Sequence, residues 1–358
     1  MLLIIFQLIY DNQTKAKREE MKVTAKEISK QLGVSIATVD RVLNNRANVS
    51  EKMRKRVLEK AEEMGYVPNR MASILSRKVT FHVAVVYKEY PAYFWEQIET
   101  GIAQAELELR DYGVTVHRFR LPVEAFTESP ERIQEILADD TIDAVAIAAL
   151  GDAISPYLKA SKKPICTFNV DAQNSGRLFY VGCDYYSSGR LAAELVAKLV
   201  PAQGRVGVLL GGNHDYQARE KLQGFREGLE EFRLELCKAV RLGESDLPFQ
   251  PGQQWQKEMA SLDGLYVATA ELGNVAEFFS KYPKHQVAAL VGHDMNDLIY
   301  KHLRTQMIAA TITQDPVSQG YLAIKKLFSL MVLEDEDAKQ STITKLEIVM
   351  KNNASYYT

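Results

Sequence analysis

Thr24, Glu27 and Gly33 mark the start and end of a short helix, and that punctuation constrains everything around it. Thr24 and Glu27 have the spacing of a capping box, in which each side chain accepts the other residue's backbone N–H. Gly33 supplies a left-handed turn that a side chain would strain. Between them Ala25, Ile28 and Leu32 repeat at helical spacing and form one apolar stripe. Ser35 is placed to cap a second helix whose inward side is Val39, Val42 and Leu43. Two short helices joined by a glycine turn are the unit that lays a helix in the major groove of DNA. A third helix, from about Ser50 to Met64, puts Met53, Val57, Ala61 and Met64 on one side. Lys52, Arg54, Lys55, Arg56 and Lys60 fill much of the rest. Pro68 forces the residue before it out of the helical region and stops that helix. Asn69 to Ser76 can form two further turns, too few to be stable alone in water.

Charge separates this stretch from the rest. Residues 21–80 hold 13 Lys and Arg against 6 Asp and Glu, a local +7. The whole chain of 358 residues carries −2, so the remainder carries −9. A basic end on an acidic body suits phosphate binding by that end. The length suits two or three domains. The three cysteines, Cys166, Cys183 and Cys237, are far apart and form no C-x-x-C pair. That spacing argues against a disulfide framework or a structural zinc and for a reducing cytoplasm. Residues 1–20 begin with an apolar run, Met1 to Tyr10, about half a membrane span. The run lacks a basic flank and a small-residue cleavage site, so it is a poor signal peptide. We read it as a disordered extension ahead of Met21, with no membrane partner.

From His82 onward, short apolar strands alternate with helices. Strands are expected at His82–Tyr87, Val114–Phe119, Ala144–Ala148 and Pro164–Phe168. A second series opens with strand Leu178–Val181 and helix Ser187–Leu199. Strand Arg205–Leu210, helix Gln217–Phe232, strand Glu235–Val240 and helix Gln253–Ala260 follow. Strands Gly264–Ala268, Val287–Val291 and Ala309–Thr313, with helices between and after them, complete it. Such alternation predicts parallel sheets flanked by helices. Two series predict two doubly wound α/β lobes with a ligand at the strand carboxyl ends between them.

The head, Val23-Thr24, Ile28-Ser29, Leu32-Gly33-Val34-Ser35, Thr38-Val39 and Arg41-Val42-Leu43-Asn44, resembles the DNA-binding domain of LacI-type bacterial regulators. Val49-Ser50, Arg54, Val57, Ala61 and Met64-Gly65-Tyr66-Val67-Pro68-Asn69-Arg70-Met71-Ala72 with Leu75 continue the match. The body resembles the periplasmic sugar-binding-protein fold that these regulators carry, with the ribose-binding branch fitting best. Its signatures are Phe94-Trp95, Val181-Gly182-Cys183-Asp184, Ala218-Arg219 with Gly224-Phe225, Val291-Gly292-His293-Asp294 and Thr313-Gln314-Asp315-Pro316. The resemblance implies an all-α helix-turn-helix head at 21–67 and a hinge helix at 68–79. It implies a ligand and dimerisation body at 80–350. The expected lobes are 80–175 with 315–338, and 176–312 with 339–350.

The resemblance also implies the site residues. Thr24, Ser35, Ile36, Ala37, Thr38, Asp40, Arg41 and Asn44 would meet the major groove. Ile36 and Ala37 are apolar where the family is usually polar, which suits contact with thymine methyls. Asn69, Arg70 and Leu75 would meet the minor groove, Leu75 as a wedge that bends the duplex. Phe94 and Trp95 would stack on a sugar ring. Asn169, Arg219, Thr269, Asp294 and Gln314 would bond its hydroxyls. Val170 stands where the family usually has Arg, which removes a fork of donors; Asp171 beside it is the candidate to compensate as a ligand contact. The implied partners are a pseudo-palindromic double-stranded DNA operator, a small sugar, sugar acid or polyol, and a second copy of the chain.

Enzyme classes find little support. Gly211-Gly212-Asn213 lacks the Lys-Ser/Thr of a phosphate loop, and no G-x-G-x-x-G follows a strand. The six histidines include no H-E-x-x-H, and no serine sits in G-x-S-x-G. His214/Asp215 and His293/Asp294 are sequence neighbours, a poor geometry for a metal pair. No catalytic residue, metal or cofactor is expected. The body alone would also suit a sugar-binding receptor for transport or chemotaxis.

Overall fold

The computed structural model describes residues 23–43, 47–66, 80–149, 153–211, 216–243, 248–250, 255, 259, 261–282 and 287–357. Residues 1–20, Asn44, the hinge helix at 69–76 and most of the expected helix Gln253–Ala260 lie outside these. The chain divides into two compact units, Met1–Val79 and Thr80–Thr358.

Among the described residues the first unit holds three helices, α1 (Ala25–Leu32), α2 (Ile36–Leu43) and α3 (Glu51–Glu63). The capping box forms as expected. Thr24 Oγ1 accepts the Glu27 N–H at 3.3 Å, and the Glu27 carboxylate accepts the Thr24 N–H at 2.7 Å. Those bonds hold the Glu27 carboxyl below its ordinary range. Gly33 has φ 65° and closes α1. Ile28, Leu32, Val39, Val42, Val57 and Ala61 form the shared core. Among the described residues these six buried apolar side chains make a small core, so each one matters.

Among the described residues the second unit contains two six-stranded sheets. The first is ordered β11-β5-β4-β3-β1-β2. Its strands are β1 (Phe81–Lys88), β2 (Val114–Leu121), β3 (Ala144–Ile147), β4 (Ile165–Phe168), β5 (Tyr180–Gly182) and β11 (Thr342–Ile343). The second is ordered β12-β10-β9-β8-β6-β7. It contains β6 (Arg205–Leu210), β7 (Glu235–Arg241), β8 (Gly264–Val267), β9 (Ala289–His293), β10 (Ala310–Thr313) and β12 (Glu347–Val349). Among the described residues every pairing is parallel except β10 with β12. In each sheet the order reverses beside the first strand, β1 or β6, the place where such sheets open a crevice.

Two lobe boundaries differ from expectation. Strand Leu178–Val181 was expected to open the second lobe; instead β5 pairs with β4 and β11 in the first sheet. β11 (Thr342–Ile343), inside the expected second-lobe range 339–350, also joins the first sheet. The chain therefore crosses between lobes after β5, between β10 and the following helix, and between β11 and β12. Alternation of strands and helices carries no mark of which sheet a strand joins, so this was not readable.

Helices cover the sheets. In the first lobe α4 (Ala92–Leu109) is followed by α5 (Glu124–Thr127), α6 (Glu131–Ala138) and α7 (Ser155–Ala160). The second lobe has α8 (Tyr185–Leu199), α9 (Tyr216–Glu231), α10 (Leu272–Lys281) and α11 (Asp297–Arg304). Finally α12 (Pro316–Met331) returns to the first lobe and packs on α4. The α4–α12 and α8–α9 crossings are both made at glycines. A Cβ on Gly101 would lie 1.9 Å from the Val317 carbonyl oxygen, and one on Gly224 would lie 2.0 Å from that of Tyr186. None of the described helices is long and apolar enough to cross a membrane.

Candidate functional site

The first unit offers a surface. On α2 the inward side is Val39 and Val42, which leaves Ser35, Ile36, Ala37 and Arg41 exposed together. Ser35 Oγ accepts the Thr38 N–H at 3.1 Å and bonds the Thr38 hydroxyl at 2.9 Å, capping α2. Thr38 and Asp40 are partly covered, and Thr24 is exposed beside its capping partner. Ile36 is 50 % exposed, so the first turn of α2 presents apolar surface to solvent. Asn44, Asn69, Arg70 and Leu75 lie outside the described residues.

The second unit offers a cavity of about 750 Å³, mouth included, between the two lobes. Its walls come from the carboxyl ends of strands: Lys88 from β1, Asn169 after β4, Gly211 after β6, Thr269 after β8, Asp294 after β9 and Gln314 after β10. Asn169, Asp294 and Asp315 have φ of 56°, 69° and 55°. Asn and Asp tolerate this left-handed backbone better than other side-chain-bearing residues.

Polar groups from both lobes meet there. Asn169 Nδ2 donates to Gln319 Oε1 at 3.1 Å, and its Oδ1 accepts from Gln217 Nε2 at 3.1 Å. Gln217 Nε2 also donates to the Tyr185 hydroxyl at 2.7 Å. Gln314 Nε2 donates to Asp294 Oδ1 at 2.9 Å, and Gln314 Oε1 accepts from the Cys183 thiol at 3.4 Å. Burial pushes that thiol up to about 12, so it stays a neutral donor. Burial also raises the Asp294 carboxyl above its ordinary value, while the nearby Lys221 ammonium and the Gln314 amide oppose the shift. Burial holds His293 well below its usual range, so the imidazole is neutral and bonds the Tyr266 hydroxyl at 2.5 Å.

Six of the eight residues expected to hold a ligand line this cavity: Phe94, Trp95, Asn169, Thr269, Asp294 and Gln314. Trp95 is mostly committed to packing. It stacks on Tyr87 at 5.2 Å between ring centroids, meets Phe168 edge-on, and donates Nε1–H to the Tyr90 carbonyl at 3.3 Å.

Arg219 and Asp171 are placed elsewhere. Arg219 is exposed on α9, its guanidinium over the Tyr216 ring at 5.8 Å. The inward face of α9 runs through Ala218, Lys221, Leu222, Phe225 and Leu229, so Arg219 must point away. Asp171 is buried and filled by protein donors: the Thr167 hydroxyl at 2.7 Å, the Ala172 N–H at 2.8 Å and the Arg177 guanidinium at 2.8 Å. Val170 beside it is core.

A buried cation at the cavity wall, beside Lys88, is Lys221, only 4 % exposed, with Nζ donating to the Ala268 carbonyl at 3.2 Å and lying over the Tyr185 ring at 5.4 Å. Gln217, one turn earlier on the same face, lines the cavity with it, as do Lys88, Tyr90 and Glu271. The helical period of α9 was the signal for Gln217 and Lys221. Nothing local in the sequence pointed to Lys88, Tyr90 or Glu271. Among the described residues no group of three or more His, Cys, Asp or Glu could hold a metal ion.

Comparison with known proteins accords with both units. Residues 83–335 match the periplasmic binding protein domain family, and residues 24–69 match bacterial regulatory proteins of the lacI family. Catabolite control protein A of Streptococcus mutans is 24 % identical over 331 residues, covering 89 % of this chain and 94 % of that protein. Catabolite control protein A of Staphylococcus epidermidis is 25 % identical over 230 residues, 62 % of this chain and 66 % of that protein. The chain thus spans just under two thirds of the length of that second relative. A glucose-galactose binding protein from Geobacillus stearothermophilus has the same body fold, with TM-score 0.64 and 23 % identity over 77 % of this chain and 99 % of that one. So does an ABC-transporter solute-binding protein from Burkholderia graminis solved with D-arabinose, with TM-score 0.68 and 20 % identity over 78 % and 98 %.

Proposed function

We propose that the chain, which belongs to the periplasmic binding protein domain family over residues 83–335 and matches bacterial regulatory proteins of the lacI family over residues 24–69, is a transcriptional regulator gated by a sugar-like effector. The observation that carries this reading is the convergence of groups from both lobes and the crossover on one cavity: Asn169, Gln217, Lys221, Asp294 and Gln314. A polyhydroxyl ligand needs fixed donors and acceptors around its rim and an apolar face for its ring. Phe94 supplies the face, Asn169 and Gln314 the amides, Asp294 an acceptor and Lys221 a donor. In this reading Lys221 does what was expected of Arg219, and Asp171 with Arg177 braces the loop behind Asn169.

The head would read DNA through α2, with Ile36 and Ala37 against thymine methyls and Arg41 on a guanine or phosphate. Two copies would place two heads on a roughly palindromic operator in the cytoplasm. An effector that binds both lobes favours their approach, and the heads respond through the segment joining the two units. A coupling of about 1–3 kcal/mol gives about 5- to 150-fold regulation, and DNA must change effector affinity by the same factor. The head has no role in a transport receptor, and no catalytic constellation is needed for this work.

The test is a thermal-shift screen over sugars, sugar acids, polyols and sugar phosphates. A true effector at about 100 times its Kd adds about 2.7 kcal/mol to the body. Lys221→Met should remove that response while leaving the unliganded melt intact. A response that survives in Lys221→Met would place the effector elsewhere.

A further inference from the structure

The cleft is bridged by contacts that use protein atoms alone. Tyr90, just after β1 in the first lobe, donates its hydroxyl to Glu271 Oε1 at 2.6 Å in the second. Three residues on, the Tyr93 hydroxyl reaches the Ala270 carbonyl at 3.2 Å and Asp294 Oδ2 at 3.5 Å. One turn further along α4, Gln97 Nε2 donates to the Met295 carbonyl at 3.0 Å. All three donors lie within eight residues of the first lobe, and all their acceptors follow β8 or β9.

Glu271 is the unusual partner. It is 0 % exposed, though it sits at the wall of a cavity. Its Oε2 accepts from the Phe249 N–H at 2.9 Å and Asn274 Nδ2 at 2.7 Å, both from its own lobe. Its Oε1 accepts from Tyr90, across the cleft. A buried carboxylate is tolerated only when its oxygens are bonded. When the lobes part, water can take the place of the Tyr90 hydroxyl; when they meet, only Tyr90 supplies that donor.

We propose that the Tyr90–Glu271 bond is a strap across the cleft that sets how readily the lobes close, and hence the effector concentration at which the regulator responds. The proposal rests on reading the body as a two-lobed clamp. Glu271 and Tyr90 act here as positioning residues, not as ligand contacts, because the carboxylate is already filled by protein donors. Tyr93 and Gln97 add to the strap. Burial and the Glu271 carboxylate both raise the Tyr90 phenol above its ordinary value, so it stays a donor.

The test needs neither effector nor DNA. The full chain is labelled at the exposed Cys237 of the second lobe and at Lys159→Cys of the first, and the distance between dyes is read by single-molecule energy transfer. Tyr90→Phe should shift the population toward the longer distance, Tyr93→Phe should shift it less, and the double variant most. Melting curves establish that each variant is folded. Distance distributions identical to the parent in both folded single variants would overturn the strap. A second arm uses whichever sugar the screen identifies: Tyr90→Phe should weaken its binding about tenfold, mainly through faster release. Failure of the screen would count against the proposed effector class and leave the distance measurement to decide the strap on its own.

Discussion

Gln217 and Asn169 are hydrogen-bonded across the cleft, Gln217 Nε2 donating to Asn169 Oδ1 at 3.1 Å. One residue belongs to the first helix turn after β6, the other to the end of β4 in the opposite lobe. The Asn169 carbonyl also accepts from the hydroxyls of Tyr180 and Tyr185, each at 2.7 Å. A single left-handed residue thus ties the first sheet, the start of α8 and the start of α9 at one point.

Gln217→Leu removes the donor to both Asn169 and Tyr185. The body should lose about 1 kcal/mol of stability, the net value of a typical hydrogen bond. Effector affinity should fall about tenfold, since closing the cleft would leave Asn169 Oδ1 unbonded. Denaturant titration and calorimetric binding check the two parts separately.

Asp294 gives a pH signature. Its carboxyl is raised in the folded body, chiefly by burial, so the folded state holds this proton more tightly than the unfolded chain. The sign follows: this group favours folding at acid pH, and that contribution declines as pH rises above its ordinary value. Asp294→Asn keeps the acceptor for Gln314 and suits the left-handed backbone. Its stability relative to the parent should therefore improve between about pH 4 and pH 7. Urea unfolding at the two pH values measures it; a difference that is flat or runs the other way contradicts the burial argument.

The glycine crossings separate packing from binding. Gly224→Ala must push α9 from α8, because its Cβ would meet the Tyr186 carbonyl oxygen. Gly101→Ala must push α4 from α12 in the same manner. Each should destabilise the body by about 1–3 kcal/mol. Gly224 lies on the helix that carries Lys221 and Gln217, so its variant should also lose effector affinity more than the Gly101 variant does.

Much of this was legible because local chemistry and long-range structure agree. Thr24, Glu27, Gly33 and Ser35 specify the head through caps and a turn, and the structure forms each of them. The strand ends after β4, β9 and β10 were readable as cleft walls because strand and helix periods alternate cleanly. What failed was orientation. Arg219 was assigned from a motif, whereas the period of α9 turns it to solvent and turns Lys221 inward. Asp171, the candidate to compensate for Val170 in the cleft, is already occupied by Arg177, six residues on. The Tyr90–Glu271 bond joins residues 181 positions apart, and no local pattern encodes such a pair.

Ile28 tests the independence of the two units. It is fully buried in the head's small core. Ile28→Ala should remove about 2–5 kcal/mol, enough to unfold a domain of this size. Operator binding should vanish while the thermal transition of the body and its effector shift stay where they were. Loss of the body transition as well would mean that the two units fold together.

The central claim is that a ligand held between the lobes resets the grip of the head on DNA. Its most direct measurement is operator affinity of the full chain, by fluorescence anisotropy on a duplex selected from random DNA, with and without saturating effector. The account predicts a change of about 5- to 150-fold in the parent, and none in Lys221→Met. An operator affinity that is the same with and without an effector already shown to bind the parent would contradict it.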